Sequence, residues 1–101
     1  MKKIINGRMY NTDTAKLVAE WDNSLSQTDF KHCEENLYRK KTGEYFLHGK
    51  GGPCSRWCEF VGNCIFGGEG IIPLTITMAM EWVENNLSAD EYIAIFGEVE
   101  E

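Results

Sequence analysis

An α+β fold is expected for this 101-residue chain, with an antiparallel β-sheet from N-terminal hairpins, a glycine-rich loop and two C-terminal α-helices. Turn-forming Asn-Gly and Thr-Gly pairs separate short apolar runs in the first half. Seven of the ten glycines fall within residues 49–70, and apolar residues after residue 75 recur at steps of three and four. The length suits one hydrophobic core, so we expect residues 1–101 to form a single domain.

The first predicted hairpin turns at Asn6-Gly7, because both residues tolerate the positive φ angles of a two-residue type I′ turn. Residues 16–22 alternate apolar and polar side chains, which favours a third strand, although the same apolar content permits a short helix. Residues 23–29 hold little besides Leu25 to bury and are expected to form an exposed loop.

A second predicted hairpin pairs residues 30–40 with residues 44–48 across a turn at residues 41–44. If residues 41 and 44 face each other, Cys33 lies opposite Gly52. The same register divides the apolar side chains between two faces, one with Tyr38, Tyr45 and Leu47, the other with Leu37, Phe46 and His48.

The glycine density of residues 49–70 predicts a long structured loop, because glycine disfavours both helix and strand interiors. Such a loop needs an anchor other than ordinary hydrophobic burial.

Residues 71–74 are predicted to be extended, and Thr75 can cap a helix whose apolar positions are 76, 79, 80, 83 and 87. Ser88 and Glu91 have the spacing of a capping box, which opens a second short helix that Gly97 can end.

Charge is distributed unevenly along the chain, whose formal net charge is −6. All 10 Lys and Arg residues lie in residues 1–56 together with 7 acids, whereas residues 57–101 hold 9 acids and no base. The C-terminal part would repel phosphates and attract basic surfaces, so we do not expect it to bind DNA or RNA directly. A solvated acidic helix face that only keeps the protein soluble is the alternative.

Four cysteines stand in or near the glycine-rich segment. In a reducing compartment clustered thiols are more often metal ligands than disulfides. We therefore predict a structural zinc site, which would also hold the loop, with the ligands Cys33, Cys54, Cys58 and Cys64. The alternative is four reduced cysteines, some of them buried as small apolar residues.

His48 and His32 are rival zinc ligands, but the predicted hairpin separates His48 from Cys33 and turns His32 to the opposite face. No Walker, dinucleotide-binding or metalloprotease motif is present, and four thiolates would close the coordination of zinc. We therefore expect a protein that is not an enzyme.

The chain resembles a family of short acidic proteins carried by phages and mobile elements of Gram-positive bacteria. The resemblance is carried by LYRKKTGEYFL at residues 37–47, the glycine pair at 51–52, IIPLT at 71–75 and EW at 81–82, with the first ten residues and DEY at 90–92. The family includes type II anti-CRISPR proteins, which inhibit the RNA-guided nuclease Cas9. The four cysteines depart from the family's pattern, so the resemblance by itself does not imply zinc.

This resemblance implies non-catalytic inhibition of Cas9, bound with or without guide RNA, that interferes with binding of target DNA. The charge pattern makes acids of the C-terminal helices the candidate contacts, namely Glu81, Glu84, Asp90 and Glu91. The alternative is a small zinc-binding nucleic-acid-binding or regulatory module of a phage or mobile element. Its candidate phosphate contacts are the basic residues Arg39, Lys40 and Lys41, with Lys50 and Arg56. No apolar run is long enough to cross a bilayer, and we expect a cytoplasmic location in the bacterial host cell.

Overall fold

The computed structural model describes residues 1–101 as eight strands and two helices. In chain order these are β1 (Lys2–Ile5), β2 (Arg8–Asn11), β3 (Lys16–Asp22), β4 (Cys33–Arg39), β5 (Tyr45–Gly51), β6 (Glu59–Val61), β7 (Cys64–Phe66), β8 (Gly68–Leu74), α1 (Ile76–Asn86) and α2 (Ala89–Phe96). The predicted α+β arrangement, with antiparallel sheets and two C-terminal helices, is confirmed. Neither helix combines the length and apolar character needed to span a membrane.

The central sheet has four antiparallel strands in the order β3-β4-β5-β8. Two further hairpins, β1–β2 and β6–β7, each form a separate two-stranded sheet. The Cα radius of gyration is 14.7 Å, whereas a compact chain of this length has about 13 Å. The molecule is therefore somewhat extended.

The two faces of the central sheet bury different side chains. On one face, Leu37 and Leu47 pack with Ala79 and Val83 of α1, and all four are fully or almost fully buried. On the other face, Phe46 packs with Tyr10 of the β1–β2 hairpin and with Ile71, and the ring of Tyr38 stacks on Phe46. The helices and the first hairpin thus cover opposite faces of one sheet.

Short-range sequence signals identify the N-terminal elements correctly. Asn6 and Gly7 have φ angles of 51° and 77°, as the type I′ turn requires. Residues 16–22 form β3, with a bulge at Val18, and residues 23–29 form an exposed connection.

The predicted helix caps are also present. The Thr75 hydroxyl accepts the backbone N–H of Met78, and the Ser88 hydroxyl accepts that of Glu91, each at 3.2 Å. Gly97 ends α2 with a φ of 97°. These caps satisfy N–H groups that have no partner inside the helices.

The predicted register of the second hairpin is wrong by one residue. Lys40 rather than Lys41 closes the turn opposite Glu44, because Gly43, with a φ of 94°, accommodates a three-residue turn. Cys33 consequently lies opposite Gly51 instead of Gly52. The faces change with the register, so that Leu37 joins Tyr45 and Leu47, while Tyr38 joins Phe46 and His48.

The prediction of one long loop over residues 49–70 is wrong at both ends and in the middle. β5 continues to Gly51, β8 begins at Gly68, and residues 59–66 form the β6–β7 hairpin. The glycines at paired positions 49 and 70 leave space for the indole of Trp57, which lies against both. Their absent side chains serve close packing within strands rather than loop flexibility.

This packing predicts that Gly49→Ala destabilises the protein by about 1–3 kcal/mol, because the added methyl group would overlap the Trp57 indole. Gly70→Ala is the matched control, since its methyl group would meet the same ring at an ordinary contact distance of 3.4 Å. Urea denaturation of both variants measures the difference. Equal stability of the two variants would show that Trp57 does not require the space over Gly49.

Candidate functional site

The most constrained polar group is the carboxylate of Glu35 in the middle of β4, whose side chain is almost fully buried. Its Oε2 accepts hydrogen bonds from the indole of Trp57 at 2.8 Å and from Nε of Arg56. Its Oε1 accepts the indole N–H of Trp82 at 2.8 Å. Because a buried carboxylate is costly without partners, these three donors account for its presence in the core.

The register of the central sheet positions this carboxylate. Glu35, Gly49 and Gly70 face one another across three strands, and Trp57 lies over the two glycines with its N–H directed at Glu35. Trp82 reaches the same carboxylate from α1. The Glu35 side chain therefore holds both the segment after β5 and the first helix against the sheet. For the glycine-rich segment, this is an anchor other than ordinary hydrophobic burial.

Glu35 is not among the residues predicted from the sequence. The usable signal was its place between Cys33 and Leu37 at alternate positions of β4, which puts an acid on the face that Leu37 buries. An acid at such an inward position needs donors, and nearby tryptophans could supply them.

The four predicted zinc ligands are not brought together as a group that could hold a metal ion. Cys33 begins β4 beside Glu35, Cys54 and Cys58 lie between β5 and β6, and Cys64 begins β7. Cys54 and Cys64 are exposed, and all four thiols are free. In this conformation the segment is held by Trp57 and Glu35.

The Cys33 thiol has its own electrostatic environment. Burial raises its pKa, and the negative charge of Glu35 raises it further, although Arg56 partly offsets both effects. The Cys33 thiol is therefore harder to ionise than an exposed cysteine.

The two rival ligands contact other groups. Nδ1 of His32 lies 2.9 Å from the backbone oxygen of Leu25, and Nε2 of His48 contacts the Glu69 carboxylate.

The four candidate partner contacts are all exposed on the two helices, which together form what we call the acidic helix surface, defined by Glu81, Glu84, Asp90 and Glu91. None of these carboxylates takes part in an ion pair with a Lys or Arg of the chain. The Lys and Arg ion pairs all use acids of the N-terminal half, namely Glu34, Glu35 and Glu44. The acidic helix surface therefore keeps its full negative charge toward solvent.

Two recesses adjoin this surface on either side of α1. A cleft of about 480 Å³ between α1 and the sheet has a mixed lining, with apolar side chains that include Trp21, Leu74, Met78 and Trp82 and polar ones that include Glu81, Asn85, Asn86 and the Glu35–Arg56 pair. A groove of about 370 Å³ between the helices is lined by Leu87, Tyr92, Ile93 and Val99, with Glu84 among its walls. Recesses that combine apolar and charged side chains are typical of protein-binding surfaces.

Comparison with protein-family models, with curated proteins and with solved structures finds no match.

The role of Glu35 predicts that Glu35→Gln lowers the free energy of unfolding by about 2–4 kcal/mol, because an amide nitrogen cannot accept the N–H donors that surround it. Glu34→Gln is the matched control: this neighbour pairs with the exposed Lys50 at 2.9 Å, and its loss should cost under about 1 kcal/mol. Urea denaturation followed by tryptophan fluorescence measures both. Similar losses for the two variants would contradict the anchoring role of Glu35.

Proposed function

We propose that this protein acts by binding and not by catalysis, as an anti-CRISPR inhibitor of Cas9 whose acidic helix surface contacts a basic surface of the nuclease. The observation that carries this proposal is the set of four exposed helix carboxylates that no Lys or Arg of the chain pairs. Unpaired charge of one sign attracts a surface of the opposite sign over a distance of about 10 Å at moderate ionic strength.

Cas9 offers surfaces of that kind. It holds the guide–target heteroduplex in a positively charged channel and reads the PAM with arginines. A ligand that presents several carboxylates can occupy a surface that otherwise holds phosphates, and so compete with target DNA. The family resemblance of residues 37–47 and 71–75 supports Cas9 as the particular partner.

The recesses beside α1 give the proposed contact an apolar component. Charge alone speeds encounter and selects the partner, whereas side chains buried in recesses usually supply most of the affinity. In the groove between the helices, Leu87, Tyr92 and Ile93 could receive the aliphatic stem of a basic side chain, with Glu84 beside it. The proposed interface therefore centres on α1.

The alternative of a nucleic-acid-binding module is less well supported, because several bases already have partners within the chain. Lys40 pairs with Glu44 and lies over the ring of Tyr10, and Arg39 lies over the ring of Tyr45. Arg56 is bound to Glu35. These contacts leave less positive charge free for phosphates.

The proposed interface predicts that neutralising the acidic helix surface together (Glu81→Gln, Glu84→Gln, Asp90→Asn and Glu91→Gln) weakens Cas9 binding by roughly tenfold or more and flattens its salt dependence. The matched control changes the net charge equally in the N-terminal half, at the exposed acids Asp13, Glu20, Asp22 and Asp29. Affinity for the Cas9–guide RNA complex at several salt concentrations is the measurement, and circular dichroism checks that the helices persist.

A helix variant that still blocks DNA loading at full potency would reject the acidic helix surface as the site. If the unmodified protein binds no Cas9, with or without guide RNA, the choice of target is wrong. Binding of the unmodified protein to a nucleic acid duplex instead would favour the module alternative.

We also propose that Cys33, Cys54, Cys58 and Cys64 hold a structural zinc ion. Four thiols in a short chain support this proposal. Three of them, Cys54, Cys58 and Cys64, lie in the segment that connects β5 to β8. A bound zinc ion would hold that segment in place in addition to the Trp57–Glu35 hydrogen bond. Because zinc binds cysteines as thiolates, its binding at these four residues would release protons.

The zinc proposal predicts about one zinc ion per chain in protein purified without chelator, and its loss in Cys54→Ser or Cys58→Ser. His48→Gln, which removes a rival ligand, should keep the metal. Elemental analysis measures the content, and chelation should lower the Tm of the unmodified protein. Metal-free protein whose Tm does not respond to chelator would end the proposal and leave Trp57 and Glu35 as the anchor.

A further inference from the structure

The β1–β2 hairpin, the start of β3 and the turn after β4 together carry seven of the ten Lys and Arg residues of the chain. Residues 1–16 hold four bases and one acid, and residues 39–44 hold three bases and one acid. The two segments are in contact, because Nη1 of Arg8 lies 3.1 Å from the carboxylate of Glu44. They therefore form one basic surface on a chain whose net charge is −6.

Much of this positive charge is free for a partner. Arg8 and Lys40 share the single carboxylate of Glu44, whereas the four exposed lysines of the two segments pair with no acid of the chain. Free charge of one sign at this density attracts a partner of the opposite sign. We call these four lysines the basic hairpin surface: Lys2, Lys3, Lys16 and Lys41.

An exposed apolar pair lies among these lysines. Ile4 and Met9 face each other across β1 and β2, and they are 60% and 52% exposed. The next residue, Tyr10, is buried against Phe46 of the central sheet, so the alternation of side chains directs Ile4 and Met9 to the outer face of the hairpin. The same alternation places Lys2 on that outer face. The hairpin thus presents aliphatic and positively charged side chains to the same side.

We propose that the basic hairpin surface, together with Ile4 and Met9, binds a lipid bilayer that contains anionic lipids. Lysines near an anionic bilayer are attracted to its headgroups, and apolar side chains between them enter the boundary of headgroups and acyl chains. A nucleic acid would pair with the lysines but leave Ile4 and Met9 in water. Tyr10, the only aromatic residue of the first sixteen, is buried and cannot stack on a base.

The acids of the helices do not oppose this contact. The hairpin and the helices cover opposite faces of the central sheet. Because packed layers are about 10 Å apart, headgroups at the outer face of the hairpin would lie roughly 20 Å or more from the helices. That distance exceeds two Debye lengths of about 8 Å at physiological ionic strength. The acidic helix surface would therefore face away from the bilayer, with its charge screened from the lipids.

The test is co-sedimentation of the unmodified protein with vesicles of phosphatidylcholine alone and with vesicles of equal parts phosphatidylcholine and phosphatidylglycerol. We expect binding to the anionic vesicles only, weakening as the salt concentration rises. Hydrogen exchange needs no variant, and amides of residues 2–11 should gain protection when anionic vesicles are added.

Lys2→Gln combined with Lys3→Gln should weaken binding to the anionic vesicles by roughly tenfold or more. Lys31→Gln combined with Lys50→Gln is the matched control, because it removes the same charge at the opposite end of β4 and should leave vesicle binding unchanged. Ile4→Ser combined with Met9→Ser keeps every charge, and it should still weaken vesicle binding several-fold.

No binding to anionic vesicles, equal binding to neutral and anionic vesicles, or equal losses in the two lysine variants would overturn the proposal. Binding to a DNA duplex as tight as to anionic vesicles, unaffected by the change at Ile4 and Met9, would assign the surface to nucleic acid instead. Protection confined to a segment other than residues 2–11 would place the contact elsewhere. None of these measurements uses Cas9, so this proposal and the proposed function can fail separately.

Discussion

One buried carboxylate organises this protein. Glu35 lies inside a strand, where an ionised side chain is tolerated only if hydrogen-bond donors replace the lost water. The three donors come from two places: Trp57 and Arg56 lie in the connection after β5, and Trp82 lies in α1. Satisfying one side chain therefore determines where a connection and a helix lie on the sheet, and it places the exposed acids of α1 relative to the cleft beside them.

The parts of the fold that depend on local chemistry could be predicted from the sequence, and the parts that depend on long-range packing could not. Asn6-Gly7, Thr75 and Ser88 act on their own neighbours, so the turn and both helix starts follow directly. The register of the second hairpin depends on how many residues Gly43 allows in the turn, which the sequence pattern leaves open. The glycines at 49 and 70 were interpreted as loop formers because the tryptophan that requires them is distant in sequence from β8.

The candidate site shows the same division. Glu81, Glu84, Asp90 and Glu91 are exposed in the structure, and their role as partner contacts stays a prediction. The role of Glu35 was hidden by the one-residue error in register, which placed Leu37, and with it Glu35, on the face of Phe46 and His48. In the observed register Glu35 faces Gly49, and the space over that glycine is what brings Trp57 within reach of the carboxylate. No periodicity could indicate where the cysteines of an irregular segment lie relative to Cys33.

The slot that receives Trp57 has a consequence for the order of folding. The space that Trp57 occupies is bounded by Gly49, Gly70 and Glu35. It therefore exists only when β4, β5 and β8 are already paired in register. Residues 52–58 are the first part of the connection from β5 to β8, yet they can reach their final conformation only after these strands have paired. The chain must first close the connection of residues 52–67 between β5 and β8, whose only regular structure is the short β6–β7 hairpin. Trp57 then stabilises the closed connection by packing on Gly49 and Gly70 and by donating a hydrogen bond to Glu35.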